Sequence, residues 1–109
     1  MNVQFSDLSA KSGIPVQRIH EARASFPHCI LSFEVEFEGE DLTSLSDLTL
    51  LFIRAGLTCE CLRYRRNGPV LALLKDSEHS NFQLMETALA QSASLRLVRW
   101  TIVLSKPSH

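Results

Sequence analysis

The sequence is poor in the features that usually announce chemistry. It has three cysteines, Cys29, Cys59 and Cys61. An odd number without framework spacing does not build a disulfide scaffold and fits reduced thiols in a cytoplasmic protein. Only four glycines occur, and none falls into a phosphate-cradling G-x-x-x-x-G-K-[ST], a dinucleotide-binding G-x-G-x-x-G or a nucleophile-elbow G-x-S-x-G. Charge of one sign is not in excess: the formal net charge is -1, which gives no overall field toward nucleic acid or an anionic membrane. No apolar run approaches the roughly 18 residues of a membrane span, and "MNVQFSDLSAKSG" lacks the apolar segment of a signal peptide.

Histidines are four and scattered (His20, His28, His79, His109), none with a carboxylate or cysteine at motif spacing. Alternation along its strand places Cys59 and Cys61 on one face, but two thiols without a second pair make no zinc site. Neither metal nor cofactor is expected, and no catalytic residue is assigned.

What the chain does have is pattern. Its 109 residues, 45% hydrophobic and 21% charged, suffice for one domain with a single modest core. "CILSFEVEFEGE" alternates: Leu31, Phe33, Val35 and Phe37 on one face, Ser32, Glu34, Glu36 and Glu38 on the other, a half-buried strand. In "GEDLTSLSDLTLLFIRAG", Leu45, Leu48, Phe52 and Ala55 recur at helical spacing, with Ser44 as expected N-cap, Asp47 in a capping-box position, Arg54 in the last turn and Gly56 as left-handed stop. "LTCECLRYRR" reads as a strand, Asn67-Gly68 as a hairpin turn and "PVLALLK" as its partner, apolar on both sides as for an interior strand. A second helix follows, capped by Ser80 with Gln83 and burying Phe82, Met85 and Leu89. "LRLVRWTIVL" closes as a strand with Val98, Trp100, Ile102 and Leu104 on its core face.

This order predicts an α+β fold, a ferredoxin-like βαββαβ sandwich: a four-stranded antiparallel sheet, first and third strands central, with two helices on one face. The core unit spans residues 29–104. Residues 1–28 are expected as an N-terminal helical extension whose one short helix, opened by Pro15, docks through Ile19 and Phe26. Residues 105–109 form a tail. The sheet face without helices is expected to carry Glu34, Glu36, Arg63, Arg65, Leu97, Arg99 and Val103.

Charge is uneven beneath its balance. Five of the twelve acids lie between Glu34 and Asp41, and three of the eight arginines crowd at Arg63, Arg65 and Arg66. Glu34 and Glu36 on one strand, Arg63 and Arg65 on another, make a candidate self-association surface; solvated strand faces with weak Arg–Glu pairs are the plain alternative. Tyr64 among arginines hints at base stacking on a sheet, but Phe33 and Phe37 face the core by pattern and the third strand has no aromatic, so nucleic acid is not an expected partner.

The run "SLSDLTLLFIRAGLTCECLRYRRNG" resembles the first helix and second strand of an ACT domain, a small-molecule-sensing regulatory module. It is nearest in character to the small regulatory subunits of acetohydroxyacid synthase. Leu45, Leu48, Phe52, Gly56, Leu57 and Cys59 carry the match. Members that bind amino acids usually have a glycine before this helix, after Asp or Asn; here Thr43 stands near the glycine position and Glu40 or Asp41 near the acidic one. The resemblance implies a non-enzymatic regulatory domain, dimeric, sensing an amino acid or modulating a partner enzyme. Its ligand residues would be Glu40, Asp41, Thr43, Ser44 and Arg54, or an arginine of a second copy. Two alternatives stand beside it. One is a DNA-linked regulator using "DLSAKSGIPVQRI" within residues 5–24 as a degenerate helix-turn-helix. The other is a small enzyme of the same fold using His79 or His28. No membrane association is expected.

Overall fold

The computed structural model describes residues 2–6, 13–39, 43–64, 69–92 and 95–106, with side chains throughout except in 2–6 and at 43 and 44. Among these residues lie five strands and three helices: β1 (Asn2–Ser6), α1 (Val16–Ser25), β2 (Ile30–Gly39), α2 (Thr43–Arg54), β3 (Thr58–Tyr64), β4 (Val70–Lys75), α3 (Phe82–Gln91) and β5 (Leu95–Ser105). The sheet is antiparallel, in the order β1-β5-β2-β4-β3. The class is α+β. Strands β2 and β4 are interior, as their alternation and continuous apolarity predict.

The alternation of β2 decides the core. Leu31, Phe33, Val35 and Phe37 are buried, and so are Val70, Ala72 and Leu74 opposite them on β4 and Trp100, Ile102 and Leu104 on β5. All three helices contribute to this one core: Ile19 and Ala22 from α1, Leu48, Leu51 and Phe52 from α2, Phe82 and Met85 from α3. Aromatic rings fill its centre. Phe33 lies 5.1 Å from Trp100 and 5.6 Å, edge-on, from Phe82, and Phe37 lies 5.9 Å from Phe52. The Trp100 indole N–H finds no acceptor among the described residues, so packing alone holds the ring.

Four local expectations fail, each for an identifiable reason. The N-terminal stretch is more than a helix: residues 2–6 pair with β5, Asn2 opposite Ser105 through Ser6 opposite Thr101, and "VQFS" is too short for its alternation to stand out. Helix α1 docks through Ile19 and Ala22, with Ile14 just before it, whereas Phe26 remains 43% exposed because the chain turns away after α1. Asn81, not Ser80, caps α3, its side-chain oxygen accepting from the Leu84 amide at 3.0 Å. Ser80 is used instead to accept from the Ser77 amide and donate to Asp76. In the β2–β5 ladder the register shifts between Glu36 and Phe37, so Phe37 faces Leu97 rather than Val98. A bulge of this kind flips alternation downstream, and Leu97 packs against the core instead of lying on the open face.

The connection from Asp76 to Asn81 joins the layers. Arg23 of α1 donates through both Nε and Nη2 to the Asp76 carboxylate, at 2.7 and 2.6 Å, and its guanidinium lies 5.5 Å from the Phe82 ring centre. The hydrogen bond to Asp76 raises the Arg23 pKa above its ordinary value. The Asp76 amide donates to Leu31, Ser77 Oγ to the Gly56 carbonyl, and the Asn81 amide to Ala55. Gly56 has φ of +75°, and a Cβ there would stand 2.4 Å from the His79 carbonyl oxygen. Only glycine suits both the left-handed C-cap and the close approach.

Two expectations test this arrangement. Phe52→Ala, at a site 1% exposed, should cost about 3–5 kcal/mol, a large share of a small domain's stability; an unchanged urea midpoint would refute the assigned helix face. Gly56→Ala should cost more than the roughly 1–2 kcal/mol of left-handed backbone alone, because backbone atoms on both sides must shift. Thermal unfolding should fall by at least about 8 °C, at roughly 4–8 °C per kcal/mol. An unaltered melting temperature would show that the 76–81 connection does not pack there.

Candidate functional site

All three described helices bury their apolar residues against one sheet face; on the other face Glu34, Arg63, Leu71 and Arg99 are exposed, while Thr101 of β5 is buried. Three residues lie side by side across this second face: Glu36 of β2 and Arg63 of β3 are both in register with Leu71 of β4 between them. The next row is Glu34, Leu73 and Cys61. Glu34, Cys61, Arg63, Leu71 and Leu73 line a shallow groove of ≈ 270 Å³, and Glu36 lies beside it. Leu71 is 38% exposed, and neither Glu36 nor Arg63 is ion-paired to another described residue. On β5, Arg99 pairs in register with Glu36 and Thr101 with Glu34. Farther along, Arg96 donates to the Glu38 carboxylate. Across the face from β3 to β5 the order is therefore cation, apolar, anion, cation.

Two of the expected interface residues, Glu34 and Glu36, share one strand and Arg63 faces them across β4; Arg65 lies outside the described residues. Leu71 and Leu73 of β4 stand between them on the same face, which the sequence reading did not single out. The signal for them was the two-sided apolarity of "VLALLK", which fits an interior strand but also a strand whose second face is left for a partner.

The loop before α2 is described only in part. Glu40 and Asp41 lie outside the described residues. Thr43 and Ser44 begin α2, and nothing is described of their side chains. Arg54 is exposed in the last turn, about 15 Å along the axis from Ser44 at 1.5 Å per residue. The structure does not bring Arg54 of one chain to the start of the helix.

A second register shift lies between Cys59 and Cys61. It sets Cys59 opposite Leu74 and Cys61 opposite Leu73, pairing positions of opposite faces, where simple alternation expected one. The Cys59 thiol donates weakly to the Cys61 carbonyl at 3.5 Å. Both cysteines are exposed at the sheet edge, yet partial desolvation raises the Cys59 thiol above its ordinary pKa. No group of three or more metal-ligating side chains occurs among the described residues, and no described helix is long and apolar enough to cross a membrane. A second cleft, ≈ 340 Å³, lies under α1 between Arg18, Glu21 and Ile102.

The sequence matches no known family model, and no curated protein or solved structure matches it.

The raised thiol pKa has a measurable sign. Desolvation favours the neutral form, so the nucleophilic thiolate is scarcer at a given pH. Cys59 should react with iodoacetamide at pH 8 more slowly than the same cysteine in an unfolded peptide, read by peptide mass spectrometry. Equal rates would refute the desolvation.

Proposed function

We propose that this chain is a non-enzymatic regulatory or interaction domain of ferredoxin-like βαββαβ architecture, acting as a homodimer through its open sheet face. One observation carries the reading: a row of anion, leucine and cation on a sheet face against which no described helix packs. The strand order β5-β2-β4-β3 supports the architecture, since it interleaves the two β-α-β halves about adjacent central strands. Strand β1 then adds a fifth strand beside β5.

The ACT resemblance extends this reading to an effector. An amino acid suits the loop of residues 39–44 better than a bare anion. Glu40 and Asp41 would hold its ammonium group, while the unpaired amides at the start of α2 favour its carboxylate. Ser44 and Thr43 are the hydroxyl donors of that arrangement. With Arg54 at the far end of its own helix, an arginine there would come from elsewhere, either a second copy or Arg96, which pairs with Glu38 at the start of the loop.

Sedimentation from low micromolar to near-millimolar protein should show a mass rising from one copy to two, and more steeply at low salt because the contacts are charged. A monomer across that range would end the dimer reading. Titration of the twenty amino acids should move backbone amide resonances of residues 39–48; silence with all twenty at millimolar concentration would leave an interaction domain without an effector.

A further inference from the structure

We infer that two copies pack with their open faces together about a two-fold axis lying along β4, so that Glu36 of each copy meets Arg63 of the other. The inference rests on the reading of the open face as an association surface and adds its geometry.

The argument comes from register. Take the strand columns across the face as β3, β4, β2 and β5. A two-fold axis along a strand, between facing sheets, leaves the column under it facing itself and exchanges the columns on either side. Set over β4, the axis puts Leu71 on Leu71 and Leu73 on Leu73, and brings β2 of each copy over β3 of the other. Because Glu36 and Arg63 are both level with Leu71, the exchange sets carboxylate against guanidinium twice, reciprocally, as an isologous contact requires.

Neighbouring axes fail the same test. Between β4 and β2, the axis sets Leu71 against Glu36 and Arg63 against Arg99. Over β2, it opposes Glu36 to itself and puts Leu71 against Arg99. Like charges brought together and carboxylates buried on leucine are costly. Of these three axes, only the one over β4 matches apolar to apolar and cation to anion across β3, β4 and β2 at the level of Leu71; at the level of Leu73 it sets Glu34 over Cys61. Within one copy, Glu36 and Arg63 stand two strand spacings apart, about 10 Å, with Leu71 between them. Facing sheets also lie about 10 Å apart, a gap that two long side chains reaching toward each other can close. An axis tilted by about 15° from β4 gives the usual crossing of about 30° for aligned sheets.

The footprint sets the strength. Three strands about 4.8 Å apart and some six residues long, at about 3.3 Å each, span roughly 300 Å² of flat sheet. That is well below the approximately 800 Å² per partner of a standard interface, so the dimer is weak and concentration-dependent.

The deciding experiment uses charge reversal on the full chain. Glu36→Arg alone creates two Arg–Arg contacts, and Arg63→Glu alone creates two Glu–Glu contacts. Each variant should lose self-association by about tenfold or more while keeping its circular dichroism spectrum. Mixed together, the two variants should form a heterodimer, because every contact between them is again Arg to Glu. The same reversal of Glu86, exposed on α3, should change nothing. Should Glu36→Arg fail to fold beside Arg99, Leu71→Cys provides a second measurement. A short thiol-to-thiol crosslinker should join residue 71 of one copy to residue 71 of the other, identified by mass spectrometry, and absence of that link would overturn the axis. A wild-type chain that dimerises but is indifferent to both reversals would overturn this geometry and leave dimerisation standing. A wild-type chain that remains monomeric at near-millimolar concentration would overturn both.

Discussion

The bidentate contact of Arg23 with Asp76 is the constraint on which the layering depends. Asp76 ends the β4 strand and begins the approach to α3, and its amide is already bound to Leu31 at the start of β2. Arg23 thus fastens α1 to the point where two central strands and a helix meet. Its fork matches the carboxylate in geometry as well as charge, and its face rests on Phe82, which in turn stacks edge-on against Phe33 and Trp100. The next residues extend the same joint toward α2: Ser77 and Asn81 satisfy the carbonyls of Gly56 and Ala55 that the helix end leaves unpaired. The polar joint of Arg23, Asp76, Ser77 and Asn81 therefore does what hydrophobic packing cannot do alone, which is to fix where each helix lies over the sheet.

Fixing all three helices on one face has a consequence for the other. Every large side chain that the core can absorb is drawn to the helix side: Trp100, Phe33, Phe37 and Phe52 are all essentially inaccessible. The open face receives the alternate residues, mostly charged, and Leu71 and Leu73 are the apolar ones at its middle strand. Two leucines on a solvated face are unremarkable singly. Their position between a carboxylate column and a cationic one gives them meaning, since a flat patch with apolar centre and charged margins is how transient protein surfaces are built.

Much of this was legible. Period-two alternation in "CILSFEVEFEGE" and period-3.6 recurrence in "SLSDLTLLFIRAG" are long enough for burial to dominate local preference, and the structure places those elements where the patterns predict. The sequence marks Gly56 as a helix stop, and that is half of its role; the closeness of the His79 carbonyl, into which a Cβ at position 56 would run, belongs to a contact 23 positions downstream that no local pattern carries. Strand β1 was invisible because its five residues acquire a reason to be extended only from the free edge of β5. The effector reading of residues 39–44 comes from the resemblance alone, since an acidic loop before a helix is also an ordinary connection.

Which of Glu34, Glu36 and Arg63 share the face was legible in the sequence and their register was not, and the two bulges explain why. Counting by twos from Leu57 puts Cys59, Cys61 and Arg63 together, and counting by twos through Leu97 puts that leucine on the open face. Each count crosses a register shift, one between Cys59 and Cys61 and one between Glu36 and Phe37. A shift of one residue exchanges the faces of everything beyond it. Arg63 shares a face with Glu36 because both are paired with Leu71 between the two bulges, where the ladder is regular. The self-complementary row is therefore confined to the stretch of sheet in which both neighbours of β4 keep register. Outside it the charges pair differently, as Arg96 does with Glu38. The alignment of Glu36, Leu71 and Arg63 is thus a property of strand pairing, and composition alone, with its balance of acids and arginines, could suggest such a row but could not orient it.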